Sequence, residues 1–218
     1  MTTYTLTPAS TSPWTVPAGV LQVQVECWGS GGGGGPNTGH GGGGGAYAKK
    51  NVYAVTPGAN INFTCPAGAI YNTAGADCWF ASTSVVLAKG GGKGEVFSGT
   101  GLGGAATSCV GDVKFSGGNS GTTDVDIDVS STGGGSSAGT GAAGNNALSE
   151  TSSPGATAPT GGGNGGNGGV SATAGAVPGG GGGGDAAHPS TAPSGGNAQI
   201  IITDTTAVLS GPVSAGWW

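Results

Sequence analysis

Apolar and polar residues alternate along several short stretches of this chain. Leu21, Val23, Val25 and Cys27 alternate with Gln22, Gln24, Glu26 and the large Trp28. A period of two sends successive side chains to opposite faces, so residues 20–28 predict a half-buried strand. Pro17, Ala18 and Gly19 supply the turn before it, and Trp14 and Val16 lead into that turn. Further strand-like pieces lie at residues 46–55, 61–65, 77–82, 84–88 and 114–116, with a turn at Thr56, Pro57 and Gly58. Asp124, Val125, Asp126, Ile127, Asp128 and Val129 make the clearest alternation of all. An apolar strand returns at residues 198–203, around Ile200, Ile201 and Ile202, and is expected to close the early sheet. These pieces predict an all-β fold with little or no α-helix, framed by an antiparallel β-sheet or sandwich.

Glycine fills much of the remainder. The 218 residues include 53 Gly and 12 Pro, and only 7% are charged. From Ser116 to Gly216 there is no Phe, Tyr or Trp, yet residues 179–184 are glycine throughout. Gly buries no side chain and loses more backbone freedom on folding than any other residue. Such a region is either a loose Gly/Ser linker or a solid in which backbones bond to backbones. A collagen helix fits poorly, because glycines 161, 162, 163, 165, 166, 168 and 169 occupy every phase of a triplet. Scarce charge argues against a solvated coil. Polyproline-II-like segments offer the solid alternative. They have three residues per turn and no internal hydrogen bonds, and Gly permits contact on all three faces. Asn164 and Asn167, one such turn apart, are expected on an exposed edge. The chain divides into a β-rich part (1–130), a polyglycine-like part (131–197) and a closing strand with an aromatic end (198–218), expected to form one continuous unit.

The net charge of -5, with lysines as the only Lys or Arg residues, excludes the basic surface that nucleic-acid binding needs. No apolar stretch approaches the roughly 20 residues of a membrane-spanning helix. Residues 1–7 have neither a basic start nor an apolar core, so synthesis in the cytosol is expected. Cys27, Cys65, Cys78 and Cys109 lack zinc-site or redox-pair spacing. Buried thiols with no bond are the expectation; the alternative is a bond between Cys65 and Cys78, a pair that could close a local β-excursion.

Little else in the sequence suggests chemistry. Asp124, Asp126 and Asp128 share one strand face, but Val129 and Gly135 stand where a calcium loop needs Gly and a bidentate Glu. A solvated face is the expectation. His40 and His188 read as exposed loop residues, and residues 31–35 lack the Gly-Lys-Ser/Thr ending of a phosphate loop. No catalytic residue, cofactor site or metal site is predicted, and the chain is not expected to be an enzyme. Tyr47, Tyr53, Tyr71 and Trp79 fill a sparse β-core or form a binding face. Trp217 and Trp218 are candidates for docking on a partner or sister subunit. Candidate surface-contact loops span residues 36–40 and 145–160, with Asn37, Thr38, His40, Asn145 and Asn146 as their polar groups.

The order Trp14-Thr15-Val16-Pro17-Ala18-Gly19-Val20, then Val23-Gln24-Val25-Glu26-Cys27-Trp28-Gly29-Ser30 into the first glycine run, carries a resemblance. It continues through the 41–45 run into Ala46-Tyr47-Ala48, then Val55-Thr56-Pro57-Gly58, Val86-Leu87-Ala88-Lys89-Gly90-Gly91 and the 179–184 run before Ile200. Together these motifs resemble the glycine-rich domain of tail fibres and other virion proteins of tailed bacteriophages. The resemblance implies a β-frame closed around stacked polyglycine helices. It also implies a virion protein, assembled in the host cytoplasm in several copies beside other virion proteins. Its distal loops would contact a bacterial surface protein or glycan at a tail-fibre or tail-tip position; a capsid decoration or head-fibre role is the alternative. No receptor-binding residue transfers by motif.

Overall fold

The computed structural model describes residues 1–37, 39–95, 99–122, 131–150, 152–186 and 193–206. Ten strands form, with one short 3-10 turn and no α-helix among the described residues. They are β1 (Thr3–Leu6), β2 (Trp14–Thr15), β3 (Gln22–Trp28), β4 (Tyr47–Ala54) and β5 (Asn60–Ile61), followed by β6 (Phe63–Thr64), β7 (Cys78–Phe80), β8 (Val86–Ala88), β9 (Val113–Phe115) and β10 (Gln199–Asp204). All the strand pairs are antiparallel. The main sheet has the order β1-β10-β3-β4-β9; β6-β7-β8 form a second sheet, and β2-β5 a small third pair.

The closing strand inserts between β1 and β3, with Ile200 opposite Leu6 on one side and Cys27 on the other. Alternation explains the core. Val23, Val25, Cys27, Ile200 and Ile202 point to one face and are fully buried against Cys78, Phe80 and Val86 of the second sheet. Trp28 and Tyr47 belong to a smaller buried cluster with Ala138, flanked by Phe115 and Ile201. Residues 61–65 do not make one strand: Ile61 pairs with Trp14, whereas Phe63 pairs with Phe80. Strand β1 was not anticipated, although Tyr4 and Leu6 alternate with threonines. The Asp124–Asp128 alternation lies outside the described residues.

Several strands run straight into glycine segments: β3 into 29–35, residues 41–46 into β4, β8 into 89–94, and residues 193–198 into β10. Beyond the strands, each amide turns to a different neighbour with a period of three. In the 178–185 segment, Gly180 and Gly183 donate to the carbonyls of Ala176 and Thr173. Gly181 and Gly184 donate to Gly135 and Thr132, and Gly182 and Asp185 donate to Gly32 and Gly35. The 41–46 segment behaves likewise, with Gly42 and Gly45 bonding to Gly182 and Gly179, and Gly43 and Ala46 to Gly92 and Lys89. Three residues per turn with lateral bonds only is the signature of packed polyproline-II-type helices.

The bonds Gly42 to Gly182, Gly181 to Gly135 and Gly135 to Gly42 close a triangle among three buried segments. Residues 131–185 therefore share one lattice with the first half of the chain. A Cβ added to Gly42, Gly43 or Gly44 would collide with the backbone of Gly32, Leu102 or Ser136 respectively, so the three faces are filled by three different segments. The lattice perimeter shows the same period. Asn164 and Asn167 are exposed, and Gly163, Gly166 and Gly169 are buried. Each Asn side chain also accepts an amide from the adjacent segment, Asn164 from Ala158 at 2.7 Å and Asn167 from Gly155 at 3.0 Å. Small hydroxyls do this inside: Ser137 accepts from Gly163, and Ser153 from Gly133. Sheet and lattice are tied by the Trp28 indole, which donates to the Ala138 carbonyl at 3.0 Å.

This packing makes three testable predictions. Gly44→Ala forces backbone apart and should lower stability by about 3 kcal/mol. Gly141→Ala, at an exposed position with open space around its added methyl, should be neutral or stabilise by up to about 1 kcal/mol. Thermal and denaturant unfolding of both variants measures the contrast. In native-state hydrogen exchange, the amides of Gly43, Gly135 and Gly182 should be protected to the level of Val25 in β3. Exchange of these glycines at coil rates would show that the lattice is not solid.

Candidate functional site

The lattice has two ends. At the root, the sheets hold the first and last strands together, and the Asp204 amide donates to the Thr2 carbonyl. At the opposite end the glycine segments turn back. Gly35 accepts from Asp185 and donates to His40, whose own amide donates to Glu95 at 2.9 Å. Ser152 donates to Ser131, Gly169 to Gly184 and Asn72 to Gly34. The described turns near residues 37, 72, 150 and 170 thus rise from one hydrogen-bonded layer. The described surface of this distal face exposes Ile70, Tyr71, Leu148 and Val170 beside Asn37, Asn72 and Ser149. Lys93 and Glu95 pair at its edge at 3.5 Å.

The layer beneath is polar and closed. His40 is 3% exposed, so it is a buried pin and not the exposed loop residue the sequence suggested. Its Nδ1 contacts the Gly99 carbonyl, tying the backbone at Gly99 to the start of the 40–46 segment. The flanking glycines that suggested exposure instead let neighbouring backbone close around the ring. Asp185 is buried beside it, with its amide on Gly35. Thr132 accepts from Gly41 and donates to the Gly121 carbonyl. Among the described residues no cluster of three His, Cys, Asp or Glu is placed to hold a metal ion.

The other predicted residues separate. Asn37 sits at the distal turn, exposed and in a left-handed conformation with φ of 49°. Asn145 and Asn146 are exposed but lie on the flank. Asn145 donates to the Thr157 carbonyl and Asn146 accepts from the Asn119 amide, both at 2.8 Å. Elsewhere in residues 145–160 the Ala147 amide donates to Asn119 and the Ala156 amide to Gly134, so these positions are bonded into the lattice. Tyr47 is fully buried, donating to the Glu26 carboxylate at 2.6 Å, and burial pushes its phenol well above the usual range. Tyr53 and Trp79 are partly buried in the sheet region, and only Tyr71 of this aromatic set stands at the distal face. Thr38, His188, Trp217, Trp218 and the three aspartates of residues 124–128 lie outside the described residues.

Cys65 and Cys78 are not bonded; all four cysteines are buried thiols. Cys109 accepts from the Lys89 amide at 3.3 Å and donates to the Ala105 carbonyl. Burial pushes its thiol up from the ordinary value. The distal exposure of Ile70 and Tyr71 was missed by sequence reading. They lie in a short stretch without a glycine run, and only the hairpin between β6 and β7 carries them to that face.

No helix of the described residues is long and apolar enough to cross a membrane. No curated protein matches the chain. A family description, "Glycine-rich domain", matches residues 6–203, from the last residue of β1 to the penultimate residue of β10, thereby spanning the sheets and the described lattice segments. The chain belongs to that glycine-rich domain family.

Proposed function

We propose that this protein is a non-enzymatic structural and adhesive component of a bacteriophage particle, carried in the tail fibre or tail tip and contributing to host attachment. The observation that carries this reading is polarity. Turns gather at one end of a rigid lattice, and the paired first and last strands occupy the other. A protein mounted by its root would present the distal face outward. Loops on a rigid scaffold suit recognition, because the frame holds them without restricting their composition. The face combines apolar Ile70, Tyr71 and Val170 with neutral hydrogen-bonding groups. That mixture suits a bacterial surface protein or glycan, since aromatic anchors supply contact area and amides and hydroxyls supply direction. The resemblance of the glycine-run motifs to phage virion domains supplies the biological setting.

The test uses the purified full chain, labelled at the root, on a panel of bacterial cells. Binding to a susceptible strain is expected, and Tyr71→Ala combined with Ile70→Ser should weaken it about tenfold, the loss of one or two contact residues. The flank variant Asn164→Ala should bind like the parent. Equal binding by the distal variant and the parent, at matched thermal stability, would refute the assignment of this face. Density for the protein on a head shell, in place of the tail, would replace attachment with capsid decoration.

A further inference from the structure

We propose that Cys65 and Cys78 are a redox site, which a small-molecule disulfide such as oxidised glutathione converts into one cross-strand disulfide while Cys27 stays a thiol. The argument starts from register. Phe63 faces Phe80 and Thr64 faces Trp79, so one further step of the same antiparallel ladder sets Cys65 opposite Cys78. Directly opposed residues in such ladders have Cα atoms about 4.5–5.5 Å apart, within the roughly 4.4–6.8 Å span of a disulfide. The register therefore sets the two backbones at a spacing that a disulfide can bridge.

The thiols differ in access. Cys78 is fully buried and Cys65 is 9% exposed, at the margin of the core. Cys27 lies against Cys78 from the main sheet, fully buried. Hydrogen bonding with Cys78 holds the Cys65 thiol below its ordinary value, whereas burial pushes Cys78 up. Cys65 is thus the sulfur that meets the oxidant. Its thiolate attacks one sulfur of the small disulfide, forming a mixed disulfide and releasing one small thiolate. The Cys78 sulfur then displaces the second small thiol from Cys65, giving up its own proton. Two protein thiols are oxidised, one small disulfide is reduced to two thiols, and no other reactant is needed.

The bond would clamp the base of the 66–77 excursion, whose turn carries Ile70 and Tyr71 to the distal face. Closing a loop of this size restricts the unfolded chain and raises stability.

The experiment treats the reduced, purified full chain with oxidised glutathione, counts thiols after denaturation and maps peptides without reduction. Free thiols should fall from the four of the reduced protein to two, with a linked peptide pair containing Cys65 and Cys78. The melting temperature should rise by about 5 °C or more. Cys27→Ser should oxidise normally and Cys65→Ser should not gain the temperature shift. Retention of four thiols, a lasting glutathione adduct, or a link through Cys27 would each overturn the proposal. Both serine variants are compared at matched thermal stability in the reduced state, and peptide mapping of the parent decides the matter without any variant.

Discussion

Every buried peptide group in this molecule needs a hydrogen-bond partner outside its own segment. An extended three-residue-per-turn helix makes no internal bonds, so each N–H that leaves water must find a carbonyl on a neighbour. An unmet donor or acceptor costs about 1–3 kcal/mol, whereas each bond made contributes about 1 kcal/mol. The arrangement is therefore strongly all-or-none across the lattice. The triangle of Gly42, Gly135 and Gly182 shows how it is met, with segments distant in sequence serving as one another's solvent. Glycine is required because three neighbours leave no direction for a Cβ.

The same constraint explains the composition. Where a segment reaches the perimeter, one position in three is free to carry a side chain, and Asn, Ser or Thr there accepts an amide that lacks a further backbone neighbour. Charge is scarce in the lattice, where buried Asp185 is the exception among the described residues. The ion pairs Lys50–Asp112 and Lys89–Asp77, at 2.8 and 2.5 Å, sit on or beside the strands instead. Asp112 is held below the usual carboxylate range mainly by its hydrogen bond from Lys50. The ordinary apolar core is confined to the two sheets, which leaves a stiff body of mostly backbone between the root and the distal turns. Such a body can vary its turns without repacking a core, because the turns contribute little to what holds it together.

Alternation along residues 20–28 and 198–203 identified two central strands, and the triplet spacing of Asn164 and Asn167 identified a lattice edge. These were legible because period two and period three are local consequences of backbone geometry. His40 was misread, since a histidine among glycines looks like a loop residue until neighbouring turns enclose it. Asn145 and Asn146 also pin lattice segments, a role not legible in the sequence because their partners Thr157 and Asn119 are set by packing.

By itself the amino-acid sequence determined that the chain is built from β-strands and from segments too glycine-rich to pack through side chains. Both facts reside in the spacing of neighbours. Which glycine segment bonds to which, and which turns share the distal face, were decided only by the tertiary structure. Identical glycine runs carry no side-chain label to specify a partner, so the strands that anchor their ends must set the pairing.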